Sequence, residues 1–198
     1  MKLKTMLVTG FMPFGEEPRN PSWEAVNALP ERIGEWQLYK LLLPVEFTNA
    51  AQIAIENAKA RNADAILCVG LAAGRTAVTP EAIGVNVRDA AIPDNAGQTY
   101  SGDPVLPDGP AAYFSTLPVR AMTAAITLAG VPAKLSYAAG TYVCNDLLYT
   151  LLDRFSGTSA RVAFVHIPLE KDLPLEGSIR ALTAAIKALS SPNAQKPA

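Results

Sequence analysis

The chain carries a single histidine and only two cysteines, and neither sign of charge is in excess. Lysine and arginine number 17 against 18 aspartate and glutamate. No basic run is interleaved with aromatics, so nucleic acid is not an expected partner. No segment approaches the roughly 18 consecutive apolar residues that span a bilayer, which argues against a membrane. The opening Met1-Lys2-Leu3-Lys4, followed by Thr5 to Gly10, is too short for a secretion signal and reads as a first buried strand of a cytoplasmic protein. In a reducing compartment a disulfide between Cys68 and Cys144 is not expected. Internal repeats, low-complexity blocks and linkers are also missing. The glycine loop Gly70-Leu71-Ala72-Ala73-Gly74-Arg75 has neither the lysine and hydroxyl of a phosphate loop nor the spacing of a dinucleotide fingerprint.

What is present is a globular composition, 49% hydrophobic and 18% charged, over a length of 198 residues that suits one domain with a sizeable core. Apolar runs suggest strands at Met6 to Phe11, Trp36 to Leu43, Ala65 to Val69, Val78 to Val87, Ala133 to Tyr137 and Arg161 to His166. Helical spacing appears in Trp23 to Leu29 after an Asn20-Pro21-Ser22 cap, in Asn49 to about Arg61, and from Val119 to Gly130. It returns from Val143 through Phe155 and in a last amphipathic stretch using Ile179, Leu182, Ile186 and Leu189. The segment Arg88 to Pro118, dense in Pro, Gly, Asp and Asn, is long enough to be a functional or subunit-contacting excursion. The alternation predicts a single-domain three-layer α/β/α sandwich over residues 1–189 with a largely parallel central sheet, and a frayed tail at 190–198.

Cys144 stands at or near the start of the helix defined by Val143, Leu147, Leu148, Leu151, Leu152 and Phe155. Taken alone, a cysteine there is a small buried hydrophobe. A helix N-terminus, however, stabilises a thiolate and lowers a thiol pKa of about 8.5 into roughly 3.5–7.5 in known cases, and its free N–H groups suit an oxyanion. In open α/β sheets ligands gather at the carboxyl ends of strands. The glycine loop after Val69, Cys144 past the strand ending at Tyr137, and His166 at the end of its strand all reach such places. A cysteine nucleophile needs a base, and the base needs an orienting partner. His166 is the one histidine available. Glu81, an acid in an otherwise apolar strand where an unpaired carboxylate would be costly, is the preferred orienter. Asp94 and Asp146 are the runners-up, each better suited to a turn or first helical turn, where it simply caps backbone.

Seven segments carry a resemblance: Thr9 to Gly15, Asn20 to Ala25, Gly70 to Arg75, Thr79-Pro80-Glu81, Ile92 to Asn95, Ala139 to Asn145 and His166-Ile167-Pro168. In this order, and across nearly the whole chain, they resemble the signatures of the pyroglutamyl peptidase I (pyrrolidone carboxyl peptidase) family, Gly140-Thr141-Tyr142-Val143-Cys144-Asn145 being the most specific. The resemblance implies a cytoplasmic cysteine exopeptidase that removes N-terminal pyroglutamate from small peptides, with Cys144 as nucleophile, His166 as general base and acid, and Glu81 orienting the histidine. It implies no metal and no cofactor, and a homo-oligomer, often a tetramer. Phe11 and Phe14 match positions that sandwich the lactam ring, and Leu71, Ile92, Tyr142 and Val143 are expected to join them in the pocket. Four positions depart from the family pattern: Met12, Leu71, Ala73 and Ala91 stand where aspartate, glutamine, glycine and arginine are usual. The last three are expected beside the active site, and Arg75 and Arg88 are the arginines available to fill the missing one's place. Two other functions fit the same residues, a feeble relative that only binds pyroglutamyl-like peptide ends and, ranked last, a thiol redox sensor.

Overall fold

The computed structural model describes residues 3–15 and 18–190. In chain order its elements are β1 (Lys4–Phe11), α1 (Pro21–Ala28), β2 (Arg32–Ile33), β3 (Trp36–Leu43), α2 (Asn49–Ala60), β4 (Ala65–Leu71), β5 (Thr79–Glu81) and β6 (Ile83–Val85). There follow β7 (Arg88–Ala90), β8 (Tyr100–Asp103), β9 (Ala112–Phe114), α3 (Val119–Leu128), α4 (Val143–Arg154), β10 (Arg161–Ile167) and α5 (Leu175–Ala188). Among the described residues the main sheet has six strands in the order β2-β3-β1-β4-β10-β5. The pairs β1–β3, β1–β4 and β4–β10 are parallel, and the two edge strands β2 and β5 are antiparallel to their neighbours.

Apolar residues on alternate sides of each central strand produce the layers. Met6 and Val8 of β1, Leu67 and Val69 of β4, and Ala163 and Val165 of β10 pack with Val26 of α1, Met122 of α3 and Leu182 of α5. Leu7, Ile66, Cys68, Val162 and Phe164 lie on the opposite face, with Ala50 and Ala54 of α2 and Leu147, Leu148 and Leu151 of α4. Helices therefore cover both faces of a mostly parallel sheet, as the periodicity predicts.

Two strand expectations are corrected. Val78 to Val87 is not one strand: it breaks at Ala82, so that β5 joins the main sheet while β6 pairs with β9. Ala133 to Tyr137 forms no strand and meets β5 and the residue before it through isolated parallel bridges, Val78 with Ala133 and Glu81 with Ser136. The flanking bonds are regular, with Val78 N–H on Pro132 O, Lys134 N–H on Val78 O, Ser136 N–H on Pro80 O and Ala82 N–H on Ser136 O. The bond between them falls to the amide of residue 80, and proline has none. The Arg88 to Pro118 excursion contains the β7–β8 hairpin and β9. The expected tail lies outside the described residues apart from Ser190.

Helix α1 lies directly on β1. A Cβ placed on Gly10 would stand 2.7 Å from Trp23 Cα and 2.9 Å from Ser22 O, contacts with backbone that cannot swing away. Gly10→Ala is expected to cost about 1–3 kcal/mol, read as a lower urea midpoint with an unchanged slope.

Candidate active site

Strand alternation puts Gly70 and His166 on the same face as Cys68 and Phe164, the face covered by α4. Gly70 and His166 are also register partners near the carboxyl ends of β4 and β10. Cys144 enters from α4 as its second residue, following the extended Tyr142. A Cβ on Gly70 would lie 3.1 Å from Cys144 Sγ and 2.6 Å from Phe164 Cζ, so the missing side chain makes room for the sulfur beside the histidine strand. No direct hydrogen bond joins Cys144 to His166 among the described residues, and apo sites often tighten such contacts only when substrate binds.

His166 is 3% exposed, and its Nδ1 lies 2.7 Å from Glu81 Oε1. Glu81 reaches this position because β5 pairs antiparallel with β10, Glu81 opposite Phe164 and Thr79 opposite His166. Its side chain is fully buried. Burial pushes the Glu81 pKa up, but the hydrogen bond and charge of His166, together with the nearby Ser136 hydroxyl and the Arg75 guanidinium, outweigh it and leave the pKa below the ordinary 4.5. An ionised carboxylate only accepts, so Nδ1 carries the imidazole proton and Nε2 is the free acceptor. Burial lowers the His166 pKa below 6.5 despite the opposing pull of Glu81, which leaves the ring neutral at neutral pH.

The thiol departs from expectation. Burial first, then the charge of Glu81 and the neighbouring Cys68, push the Cys144 pKa to about 12, against a downward pull from Arg75. The resting site is thus a neutral thiol beside a neutral imidazole, not a preformed ion pair, because desolvation in this apolar setting exceeds what one helix start supplies. In the first turn of α4 the Asn145 and Asp146 amides bond back to Tyr142 O. The amides of Val143 and Cys144 have no such bond among the described residues and are the donors available for an oxyanion.

Cys144 lies on the wall of a cavity of about 320 Å³ that is also lined by Phe11, Phe14, Leu71, Tyr142 and Val143. Ala73, expected beside the site, and Asn20 of the helix cap also line it, and Val45, Leu169 and Arg19, which sequence reasoning had not singled out, complete the lining. The Asn20-Pro21-Ser22 cap sets the aromatic loop: Asn20 Oδ1 accepts from Ser22 N–H, Asn20 Nδ2 donates to Met12 O, and Ser22 Oγ accepts from Phe11 N–H. Phe14 and Tyr142 face each other with ring centroids 5.3 Å apart. Ile92, expected in the pocket, does not line it. It is 54% exposed, because its loop turns Asp94 inward instead, to accept from Phe47 N–H, Ala96 N–H and Gln98 N–H.

Asp94 and Asp146 both bind backbone and stand apart from the histidine. Asp146 accepts from Thr48 N–H and from Arg88 Nε at 2.5 Å. Arg88 is thereby committed to Asp146, and Arg75 is committed to Glu81. Of the departures from the family pattern, Leu71 and Ala73 line the cavity, whereas Ala91 lines a separate surface hollow with Asp89, Thr99 and Tyr100. Asn145 was also unforeseen as a support. Its side chain accepts from Val85 N–H and donates to Val85 O and Val87 O, tying the start of α4 to β6 and the turn before β7.

The sequence profile of the pyroglutamyl peptidase family matches residues 4–191. The chain belongs to the pyroglutamyl peptidase family. A pyrrolidone-carboxylate peptidase of Streptococcus pyogenes is 45% identical to it over 166 residues, spanning 82% of this chain and 77% of that protein. One from Staphylococcus carnosus is 40% identical over 200 residues, spanning 95% and 94%. Among solved structures, pyroglutamyl peptidase I of Bacillus amyloliquefaciens superposes with a TM-score of 0.89 at 39% identity, covering 95% of this chain and 98% of that one. The pyrrolidone carboxyl peptidase of Thermococcus litoralis gives the same TM-score at 32% identity, covering 94% and 93%.

Within this pyroglutamyl peptidase fold the two thiols differ in access. Cys68 is fully buried with its pKa pushed to about 12, and Cys144 is half-buried on the cavity wall. Iodoacetamide is expected to modify Cys144 alone in the folded protein, at a rate that rises with pH through the alkaline range. Gly70→Ala, by crowding Sγ, is expected to slow it several-fold. Mass spectrometry of the alkylated peptides checks both outcomes.

Proposed function

We infer that this chain, as a pyroglutamyl peptidase, is a cysteine exopeptidase that releases N-terminal pyroglutamate from peptides. The observation that carries this reading is a cysteine on the wall of an aromatic and aliphatic cavity, next to the strand end that bears a neutral histidine bound to a buried carboxylate. Pyroglutamate is a flat, uncharged lactam, which suits aromatic faces and backbone amides better than a charged clamp. Phe11, Phe14, Leu71, Tyr142 and Val143 are assigned to hold it.

In the proposed reaction Cys144 Sγ attacks the pyroglutamyl carbonyl carbon as its proton passes to His166 Nε2. The carbonyl oxygen becomes an oxyanion facing the Val143 and Cys144 amides. Collapse breaks the C–N bond, and His166 delivers its proton to the departing amine, leaving a thioester. Water then attacks the thioester, gives its proton to His166 and adds hydroxide to the carbonyl. Collapse expels the sulfur, which recovers the proton as a thiol, and free pyroglutamate leaves. Glu81 keeps Nδ1 protonated and stabilises the imidazolium formed in each half-reaction. The chemistry as written uses no metal or cofactor.

No helix among the described residues is long and apolar enough to cross a membrane. A cytoplasmic location, a homotetrameric state and action of residues 1–189 as one catalytic domain complete the proposal. Light scattering on the purified protein tests the tetramer, and a monomer mass would reject it.

Hydrolysis of a pyroglutamyl fluorogenic amide is the direct test. Wild type is expected to turn over, whereas Cys144→Ser and His166→Ala each lose about 10³-fold or more in kcat. An inactive wild type, or a Cys144→Ser variant with full rate, would sink the peptidase reading; tight binding of a pyroglutamyl peptide without turnover would favour a binding protein instead. Because the reaction needs neutral His166, whose pKa is depressed, the acid limb of kcat/KM is expected below pH 6.5.

A further inference from the structure

Arg75 does not line the cavity that holds Cys144, yet it is bound to the carboxylate behind it. Nη1 donates to Glu81 Oε1 at 2.5 Å and also to Thr79 Oγ1, while Nη2 donates to Ala138 O at 2.9 Å. Oε1 is the oxygen that receives Nδ1–H of His166, and Glu81 Oε2 is buried with no hydrogen-bond partner among the described residues. One carboxylate oxygen is therefore held between the imidazole and a permanent cation, whose planar fork presents two donors in fixed directions.

The same guanidinium bridges three pieces of the site. Its backbone closes the Gly70 to Arg75 loop, whose Leu71 and Ala73 wall the cavity. Nη1 reaches the Glu81–His166 pair. Nη2 reaches the carbonyl of Ala138, six residues before Cys144 on the segment that delivers the sulfur. We propose that Arg75 is a positioning residue for the reaction, fixing the Glu81 carboxylate, and through it the His166 ring, while holding the turn before Cys144 against them. The proposal rests on the peptidase reading.

A merely structural clamp and this role differ in electrostatics. The groups that face one another here are Arg75 from the glycine loop, Glu81 from β5, His166 from β10, Cys144 from α4 and Cys68 from β4, with the hydroxyls of Thr79 and Ser136 alongside. Arg75 is the cation in this set, and its field draws the pKa values of both His166 and Cys144 downward. Removing the charge therefore raises both: the histidine is protonated at higher pH and the thiol becomes harder to ionise.

The test compares Arg75→Met, which removes charge and fork, with Arg75→Lys, which keeps the charge and loses the fork. Both are read as kcat, KM and Cys144 alkylation across pH, with thermal melts to establish the folded fraction. For Arg75→Met, kcat is expected to fall about 10-fold or more while KM stays within about twofold. Its acid limb is expected to move up by about one pH unit, and alkylation at fixed pH to slow several-fold. Arg75→Lys is expected to restore the limb and the alkylation rate while kcat stays reduced.

Wild-type kcat in both variants overturns the proposal. So does a loss that tracks the unfolded fraction with the acid limb unmoved, or a rise in KM at unchanged kcat, which would make Arg75 a substrate contact. A wild type that hydrolyses and a Cys144→Ser that does not, alongside an Arg75→Met limb at the wild-type position, rejects Arg75 alone. An inactive wild type rejects the peptidase reading, and Cys144 alkylation in Arg75→Met then still decides the electrostatic role: an unchanged rate overturns it.

Discussion

A carboxylate buried with its charge intact is the constraint on which the rest of this site depends. Glu81 has no solvent to stabilise it, and it stays ionised because His166 and Arg75 converge on it with the Ser136 hydroxyl nearby. That convergence sets the tautomer of His166, and the tautomer sets which nitrogen is free to take a proton. It also requires the short antiparallel edge strand β5, without which Glu81 would not lie against β10.

Burial gives the site its other chemical property. The cavity is walled mainly by aromatic and aliphatic side chains, which suit a neutral ring and disfavour every charge brought near them. For that reason the thiol rests protonated, and the histidine rests neutral although a carboxylate is bonded to it. Two neutral partners can exchange a proton as bonds change without first separating charge in an apolar pocket. The helix start leaves two amides without a backbone partner among the described residues, and in the proposed reaction their attraction for an oxyanion would grow as water is excluded.

Much of the fold was legible because burial on both faces of a parallel strand leaves continuous apolar runs. Trp36 to Leu43 is one strand with those bounds, and the core of β4 and β10 was read within two residues. The misreadings lie at one edge. Pro80 removes a single donor, and that loss splits the pairing of 133–137 into isolated bridges, a consequence visible only once its partner strand is known. Ile92 was misplaced for a similar reason. A loop residue's direction depends on which neighbour finds buried backbone donors, and here Asp94 found three.

The chain's own order of residues was enough to establish the layered α/β class, the place of Cys144 at a helix start and His166 at a strand end, and kinship with a peptidase family, because these rest on local periodicity and contiguous motifs. Folding alone decided that Arg75 and His166 share one oxygen of Glu81, that Gly70 leaves space for the sulfur, that Arg88 belongs to Asp146, and that the thiol is protonated at rest. Each of those facts depends on distances between segments far apart in sequence and on the loss of water between them, and neither quantity is written in any single stretch of the chain.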